Sequence, residues 1–208
     1  MRKTYTLFAG VNGAGKSTFF RQLSQTVNLG KRINSDEIVK QHFNHDWQNA
    51  KVQIQAGKET IKLFRKCLNS ESSFNQETTL TGRTIIKNIQ QAKEKGFKIA
   101  LFYVGLENVQ LSVDRVANRV KKGGHGIPTE DLLRRYANSL KNLQEVLPLC
   151  DDIHIYDNSK NIAFSMEKPL LVVKNGQIQY KSANFPMYIH EILSTYISHI
   201  DKIIPHTK

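Results

Sequence analysis

Hydrophobic and polar positions follow two different periods along most of the chain. Runs of strand length, of which the second and third are largely polar, recur at 5–9, 31–36, 72–77, 98–104 and 152–156. Between these runs, apolar residues return every three or four positions, which is the spacing of an amphipathic helix. Strands that alternate with helices indicate βαβ units. We therefore predict an α/β fold, a three-layer sandwich around a mostly parallel central sheet.

The C-terminal part departs from this alternation. Apolar runs at 170–173 and 177–180 flank Lys174–Asn175–Gly176, and Asn-Gly between two such runs is a strong β-hairpin signal. Helical periodicity then returns at about 187–200. We predict a C-terminal hairpin and helix at 160–208 that pack on the same domain as the preceding residues.

A glycine-rich loop joins the first predicted strand to the first predicted helix. Residues 10–18 read GVNGAGKST and match the P-loop pattern G-x-x-x-x-G-K-[ST] in the required strand–loop–helix context. Glycines let backbone N–H groups turn toward phosphate oxygens, and the helix that begins near Lys16 adds its positive end. The hydroxyl of Ser17 is placed to ligate Mg²⁺. The predicted nucleotide site comprises Gly10, Asn12, Gly13, Ala14, Gly15, Lys16, Ser17 and Thr18.

Two large classes of P-loop protein are excluded by motifs that the sequence lacks. Transporter ATPases need an L-S-G-G-Q-like signature and an apolar strand that ends in Asp-Glu, whereas the run 99–104 continues into Gly105–Leu106–Glu107. GTPase switches need an Asn/Thr-Lys-x-Asp box, which is also absent. The remaining plan is that of a small-molecule kinase, with a P-loop kinase core at 1–159.

Asp36 lies at the end of the second predicted strand, 20 residues after the P-loop lysine. In a parallel sheet this position is at the carboxyl edge, beside the phosphates. A carboxylate there can accept the proton of an attacking hydroxyl or hold a magnesium-bound water. The alternative is that Asp36 only caps the following helix, a role for which Asn34 and Ser35 compete.

Two further segments suit a second, anionic substrate. Residues 77–83 (ETTLTGR) combine a carboxylate, hydroxyls, a flexible glycine and an arginine, although a Thr/Gly-rich turn that caps a helix is about as common. Residues 112–141 hold seven basic side chains against three acidic ones, around a glycine-rich break at 123–126. Arg115 and Arg119 share a helix face and can neutralise a transferring phosphoryl group. We predict a basic lid at 112–141, the alternative being a solvated basic face.

The overall charge limits the class of partner. Lysine and arginine outnumber acids by 30 to 18, and the net charge of +12 admits nucleic acid, an anionic membrane, phosphates or acidic proteins. Interleaved basic and aromatic clusters are missing, which makes nucleic acid the weaker partner. No apolar run approaches the ~18 residues of a membrane span. We therefore expect a protein that does not bind membranes. Because Cys67 and Cys150 form no disulfide framework, we also expect it to be cytoplasmic.

These motifs together resemble those of the zeta-toxin family of P-loop kinases, in its compact stand-alone branch. The likeness rests on the P-loop, on Asn34–Ser35–Asp36, on the run FNQETTLTGR at 74–83 and on 115–136, which contains the distinctive run RVKKGGHGIP. Asp157–Asn158–Ser159 fits as well. The resemblance covers about residues 4–159.

The resemblance implies an activity and roles for particular residues. Family members transfer the γ-phosphate of ATP, with Mg²⁺, to the sugar 3′-hydroxyl of UDP-N-acetylglucosamine, and many are held in check by a small antitoxin protein. By this resemblance Asp36 is the general base, and Lys16 and Ser17 form the ATP·Mg site. The other residues assigned by resemblance are the γ-phosphate clamps Arg115 and Arg119, the acceptor contacts Glu77, Thr78, Thr79 and Arg83, and Asn158 at the nucleotide.

One position departs from the family pattern. Larger members place an arginine shortly before the lid proline, where this chain has His125, so either Arg119, Arg134 or Arg135 takes that role or the chemistry differs. We predict an ATP-dependent kinase that phosphorylates a nucleotide-sugar such as UDP-N-acetylglucosamine, as the toxin of a pair with a small acidic antitoxin. The alternatives are a nucleic-acid-associated NTPase or polynucleotide-end kinase, and a nucleotide-bound module that binds an acidic protein.

Overall fold

The computed structural model describes residues 2–43, 46–47, 49–70, 72–160 and 168–203. The strands are β1 Thr4–Ala9, β2 Lys31–Ile33, β3 Phe74–Thr78, β4 Lys98–Gly105, β5 Asp152–Asp157, β6 Leu171–Lys174 and β7 Gln177–Lys181. The helices are α1 Lys16–Leu23, α2 Ser35–His42, α3 Ala50–Asn69, α4 Arg83–Glu94, α5 Val109–Lys121, α6 Thr129–Val146 and α7 Met187–Ile203. The predicted alternation of strands and helices is therefore confirmed.

The strands form one sheet in the order β2-β3-β1-β4-β5-β6-β7. The first five in this order pair in parallel, whereas β6 and β7 continue the sheet antiparallel. Because the carboxyl ends of parallel strands meet at one edge, the loop after β1 lies beside the residues that follow β2, β3 and β4. The mostly parallel α/β fold predicted from the sequence is confirmed, and this edge gathers the candidate chemistry.

Helices cover both faces of the sheet. Successive strand residues point to opposite sides, so apolar side chains lie on both faces and are buried by helices. Tyr5 and Leu7 of β1 belong to a core that also includes residues of α3, α4 and α7. Phe8 points the other way and packs with Phe19 of α1 and with Phe102, whose ring lies 5.5 Å from that of Phe8. Together with the sheet, these two cores give three layers. In the described ranges, no helix has the length and apolar character that would cross a bilayer.

The structure differs from the sequence expectation at the second strand. We predicted a strand at 31–36, but β2 ends at Ile33 and α2 begins at Ser35. Asn34 is the N-cap, since its side-chain oxygen accepts a hydrogen bond from the Asp36 N–H at 2.9 Å. Capping of this kind satisfies a free N–H of the first helical turn. Asp36 therefore lies in the first turn of α2 rather than at a strand end.

The C-terminal hairpin forms at the predicted position. Its turn residues Asn175 and Gly176 have φ values of 49° and 76°, as a tight hairpin turn requires. The strands β6 and β7 extend the sheet, and Ile189 and Leu193 of α7 join the core with Tyr5. Residues 161–167 and 204–208 of the predicted C-terminal part lie outside the described residues.

Candidate functional site

The loop after β1 follows a path that only glycine can take. Gly10, Gly13 and Gly15 have φ values of 137°, 76° and 101°. A Cβ on Gly10 would lie 2.2 Å from the Val104 carbonyl oxygen, and one on Gly15 would lie 2.9 Å from Nδ2 of Asn158. The P-loop is thus pressed against β4 and against the residue that follows β5, and it leads directly into α1.

Lys16 is buried at the start of α1, with 7% of its surface exposed. Its Nζ donates to the Val11 carbonyl at 3.0 Å, across the turn of the loop. Burial lowers the pKa of Lys16, while the carboxylates of Glu77 and Asp36 oppose that shift. An incompletely solvated ammonium gains from any anion placed in the loop. Lys16 can therefore act as a phosphate-binding cation.

Ser17 and Glu77 meet between α1 and the end of β3. The Ser17 hydroxyl donates to both carboxylate oxygens of Glu77, at 2.8 and 3.1 Å. Glu77 was predicted to contact the phosphate acceptor, but the structure places it against Ser17, the residue predicted to hold Mg²⁺. A hydroxyl and a carboxylate are the hard oxygen ligands that Mg²⁺ prefers when nucleotide phosphates supply the rest.

A basic residue that sequence reasoning missed holds Glu77 in this position. Arg32 of β2 donates from Nη2 to Glu77 at 2.6 Å and from Nε to Glu37 at 2.7 Å. Its guanidinium also lies 3.5 Å from the ring centroid of Phe20, and Asn34 Nδ2 donates to Glu77 at 3.0 Å. No sequence motif marks Arg32, because its partner Glu77 lies 45 residues away.

A polar cleft of about 350 Å³ opens beside this network. Its lining includes Lys16, Asp36, Glu77, Thr78, Thr79, Arg134 and Arg135. The side chain of Asp36 is 53% exposed, so it can reach a bound molecule. The structure therefore brings together the lysine, the candidate base and three of the four residues predicted to contact the phosphate acceptor, Glu77, Thr78 and Thr79.

The predicted lid approaches the P-loop from α5 and α6. Arg115 donates to the Gly13 carbonyl at 3.3 Å and to the Asn158 carbonyl at 2.8 Å, and Asn158 Nδ2 donates to the Ala14 carbonyl at 2.8 Å. Arg115 and Asn158 thus brace the loop. Arg135 donates to Asn12 Oδ1 at 3.2 Å, which ties α6 to the same loop.

Arg119 and the histidine of the lid lie next to the candidate base. Arg119 Nε donates to the His125 carbonyl at 3.2 Å, and its Nη2 lies 3.2 Å from His125 Nε2. The same Nε2 is 3.6 Å from Asp36 Oδ2. Burial lowers the pKa of His125 and the charge of Asp36 opposes this, while Arg119 and Arg135 lower it further.

Among the predicted site residues, Arg83 and Thr18 do not line the cleft. Arg83 begins α4 and pairs with Glu145 of α6 at 2.7 Å, with 70% of its side chain exposed. Thr18 is exposed on α1. Arg134 pairs with Asp131 at 2.6 Å although it also lines the cleft.

The sequence of the chain is similar to those of known proteins. The family model described as Zeta toxin matches residues 1–168. An uncharacterized protein of Haemophilus influenzae is 36% identical over 137 residues, which are 65% of this chain and 94% of that protein.

Solved structures share the fold at low sequence identity. The PezAT chromosomal toxin–antitoxin system of Streptococcus pneumoniae matches with a TM-score of 0.59 at 18% identity, over 97% of this chain and 86% of that one. AvrRxo1-ORF1:-ORF2 with ATP matches with a TM-score of 0.63 at 15% identity, over 100% of this chain and 66% of that one. The Pnkp1/Rnl/Hen1 RNA repair complex matches with a TM-score of 0.57 at 17% identity, over 69% of this chain and 46% of that one, so the chain spans about half of its length. The match over residues 1–168 shows that the chain belongs to the zeta-toxin family.

Proposed function

We propose that the protein is an ATP-dependent kinase that transfers the γ-phosphate of ATP to a hydroxyl group of a nucleotide-sugar, such as UDP-N-acetylglucosamine. The observation that carries the proposal is one cleft that joins Lys16, the Ser17–Glu77 pair and Asp36. Membership of the zeta-toxin family supports the same reaction class.

The described residues fit ATP and Mg²⁺. The P-loop leaves no room for a Cβ at Gly10 or Gly15, the buried ammonium of Lys16 faces the loop, and the Ser17–Glu77 pair supplies oxygen ligands. Ser17 would hold Mg²⁺, with Glu77 as a direct ligand or through water. When bound, the ion neutralises charge on the β- and γ-phosphates.

The side chains around the cleft supply the remaining chemistry. Asp36 accepts the proton of the acceptor hydroxyl as that oxygen attacks the γ-phosphorus, and the bond to the β,γ-bridging oxygen breaks. Lys16 and Arg119 stabilise the charge that spreads over the transferred group. Arg115 acts indirectly, by holding the P-loop in place, because it donates a hydrogen bond to the carbonyl of Gly13.

The acceptor is proposed from the chemistry of the cleft wall. Thr78 and Thr79 present hydroxyls, and Arg134 and Arg135 present guanidinium groups to the same space. Hydroxyls and arginines together suit a sugar that carries a diphosphate. Arg83 is not part of this proposed surface, because it does not line the cleft.

Phosphoryl transfer to a defined acceptor tests the proposal. The protein is incubated with γ-labelled ATP and a panel of UDP-sugars, nucleotides and short RNAs, and mass spectrometry locates the added phosphate. We expect a labelled nucleotide-sugar, no transfer and weak ATP binding in Lys16→Ala, and ATP binding without transfer in Asp36→Asn. Asp114→Asn on the exposed face of α5 is the matched control. Turnover in Asp36→Asn equal to that of the control would refute the assigned base, and label on RNA alone would replace the substrate class.

The proposed activity also predicts a partner protein and an effect on bacterial growth. We propose that a small acidic antitoxin restrains the protein, which the excess of 12 positive charges favours through faster association. Induced expression should stop bacterial growth, and Lys16→Ala should not. Growth arrest by both proteins would show that toxicity does not depend on phosphoryl transfer.

A further inference from the structure

His125 lies in the glycine-rich loop between α5 and α6, where the lid meets α2. Its side chain is 14% exposed, and its ring stacks on Trp47 with centroids 5.1 Å apart and planes at 19°. The charged groups that face it are Asp36 of α2, Arg119 of α5 and Arg135 of α6. The histidine is therefore enclosed by three elements and an aromatic ring.

The loop is shaped so that His125 lies over Arg119. The Gly124 N–H donates to the Arg119 carbonyl at 2.9 Å, which turns the chain back onto the end of α5. A Cβ on Gly124 would lie 2.5 Å from Cγ of Arg119, and Gly123 has a φ of 83°. A bulkier residue at position 124 would push the loop away from Arg119.

One nitrogen of the ring faces both a hydrogen-bond donor and a hydrogen-bond acceptor. His125 Nε2 is 3.2 Å from Nη2 of Arg119, a donor, and 3.6 Å from Oδ2 of Asp36, an acceptor. A neutral imidazole with its proton on Nδ1 can accept from Arg119, whereas an imidazolium can donate to Asp36 and repels the guanidinium. The charge of the ring thus decides which neighbour it holds.

We propose that His125 is a positioning residue that, in its neutral form, fixes Arg119 beside Asp36 and leaves the Asp36 carboxylate free to act as base. Protonation of the ring would break the contact with Arg119 Nη2, leave Arg119 only the His125 carbonyl, and turn the ring toward Asp36 as a donor. This inference rests on the proposed function, and the burial that lowers the pKa of His125 favours the neutral ring.

The indole beside the ring allows the contacts to be tested without any turnover. Trp47 is the single tryptophan of the chain, and an imidazolium stacked on an indole quenches its fluorescence. We expect a fluorescence transition with a midpoint below the ordinary histidine pKa of about 6.5. His125→Gln should abolish it, and His190→Gln, on the exposed face of α7, should leave it unchanged.

The neighbours should move this midpoint in opposite directions. Asp36→Asn should lower it, because the carboxylate favours the imidazolium, and Arg119→Met should raise it, because the guanidinium opposes the imidazolium. A midpoint that neither variant shifts would overturn the proposal, whether or not the protein transfers phosphate.

Kinetics then test the positioning role. His125→Ala should lower kcat by about ten- to a hundredfold, with a much smaller change in the KM for ATP, because Arg119 loses its support. His125→Gln keeps an acceptor near the position of Nε2, so it should recover much of kcat and lose the part of the acid fall in kcat that follows the fluorescence midpoint. An unchanged kcat and pH profile in His125→Ala would overturn the positioning role. If the wild type phosphorylates no acceptor, the proposed function fails, and the fluorescence midpoints still decide whether His125 joins Asp36 and Arg119.

Discussion

Two arginine–glutamate pairs of the protein have the same chemistry and very different surroundings. Arg32 Nη2 lies 2.6 Å from Glu77, with 14% and 12% of the two side chains exposed. Arg83 Nη1 lies 2.7 Å from Glu145, with 70% and 36% exposed. Replacing each arginine by methionine, which has a similar apolar stem, compares the loss of a buried arginine with the loss of an exposed one.

The two replacements should differ several-fold in their cost. Exposed ion pairs contribute about 0–1 kcal/mol, whereas removal of one partner from a buried pair costs about 3–5 kcal/mol. Arg32→Met also removes the ion pair with Glu37 and the contact of the guanidinium with the Phe20 ring. We therefore expect the free energy of unfolding to fall by about 3–5 kcal/mol in Arg32→Met and by less than about 1 kcal/mol in Arg83→Met.

Urea unfolding followed by circular dichroism measures both values, and calorimetry of ATP binding with and without Mg²⁺ adds a functional readout. Since Arg32 holds Glu77 against Ser17, Arg32→Met should weaken the Mg²⁺-dependent part of ATP binding more than the part that depends on the P-loop. Equal losses of stability in the two variants would refute the argument from burial. An unchanged Mg²⁺ dependence would refute the role given to Glu77.

Two further predictions concern stability. Gly57 lies inside α3 with nothing within 4 Å of an added Cβ, so Gly57→Ala should raise the free energy of urea unfolding by about 0.5–1 kcal/mol, and a loss would mean that a Cβ is not tolerated there. Burial lowers the pKa of His154, so the unfolded chain binds more protons and stability should decline as pH falls below about 6.5. His154→Phe keeps the stacking on Phe102 and should reduce this decline between pH 8 and pH 5, while an identical decline in both proteins would show that His154 is not its source.

The features that the sequence predicts well are those set by neighbouring residues. The P-loop needs only nine consecutive residues, and each of its glycines has a local conformational reason. The Asn-Gly turn between β6 and β7 is of the same kind. The second strand was predicted too long because Asn34, Ser35 and Asp36 carry no periodicity, and the Asn34 cap decides the boundary.

The features that the sequence misses depend on contacts between distant segments. Glu77 was assigned to the acceptor, but Arg32 and Asn34, both more than 40 residues away, turn it toward Ser17. Arg83 follows the same motif and instead meets Glu145, 62 residues later. A motif therefore identifies which residues are near an edge of the sheet, while the partner of each side chain decides what it can do there.

The two lid arginines also differ in function because they have different hydrogen-bond partners. Arg115 and Arg119 share a helix face, and the sequence gives no reason to treat them differently. In the fold, Arg115 is anchored by two backbone carbonyls, whereas Arg119 is held by one backbone carbonyl and by the imidazole of His125, a group whose charge can change. A cation held by carbonyl dipoles alone keeps its contacts at any pH, but one held in part by an imidazole loses that contact when the ring is protonated. By this proposal, His125 makes the lid of this protein sensitive to protonation, although Arg115 on the same helix face is not.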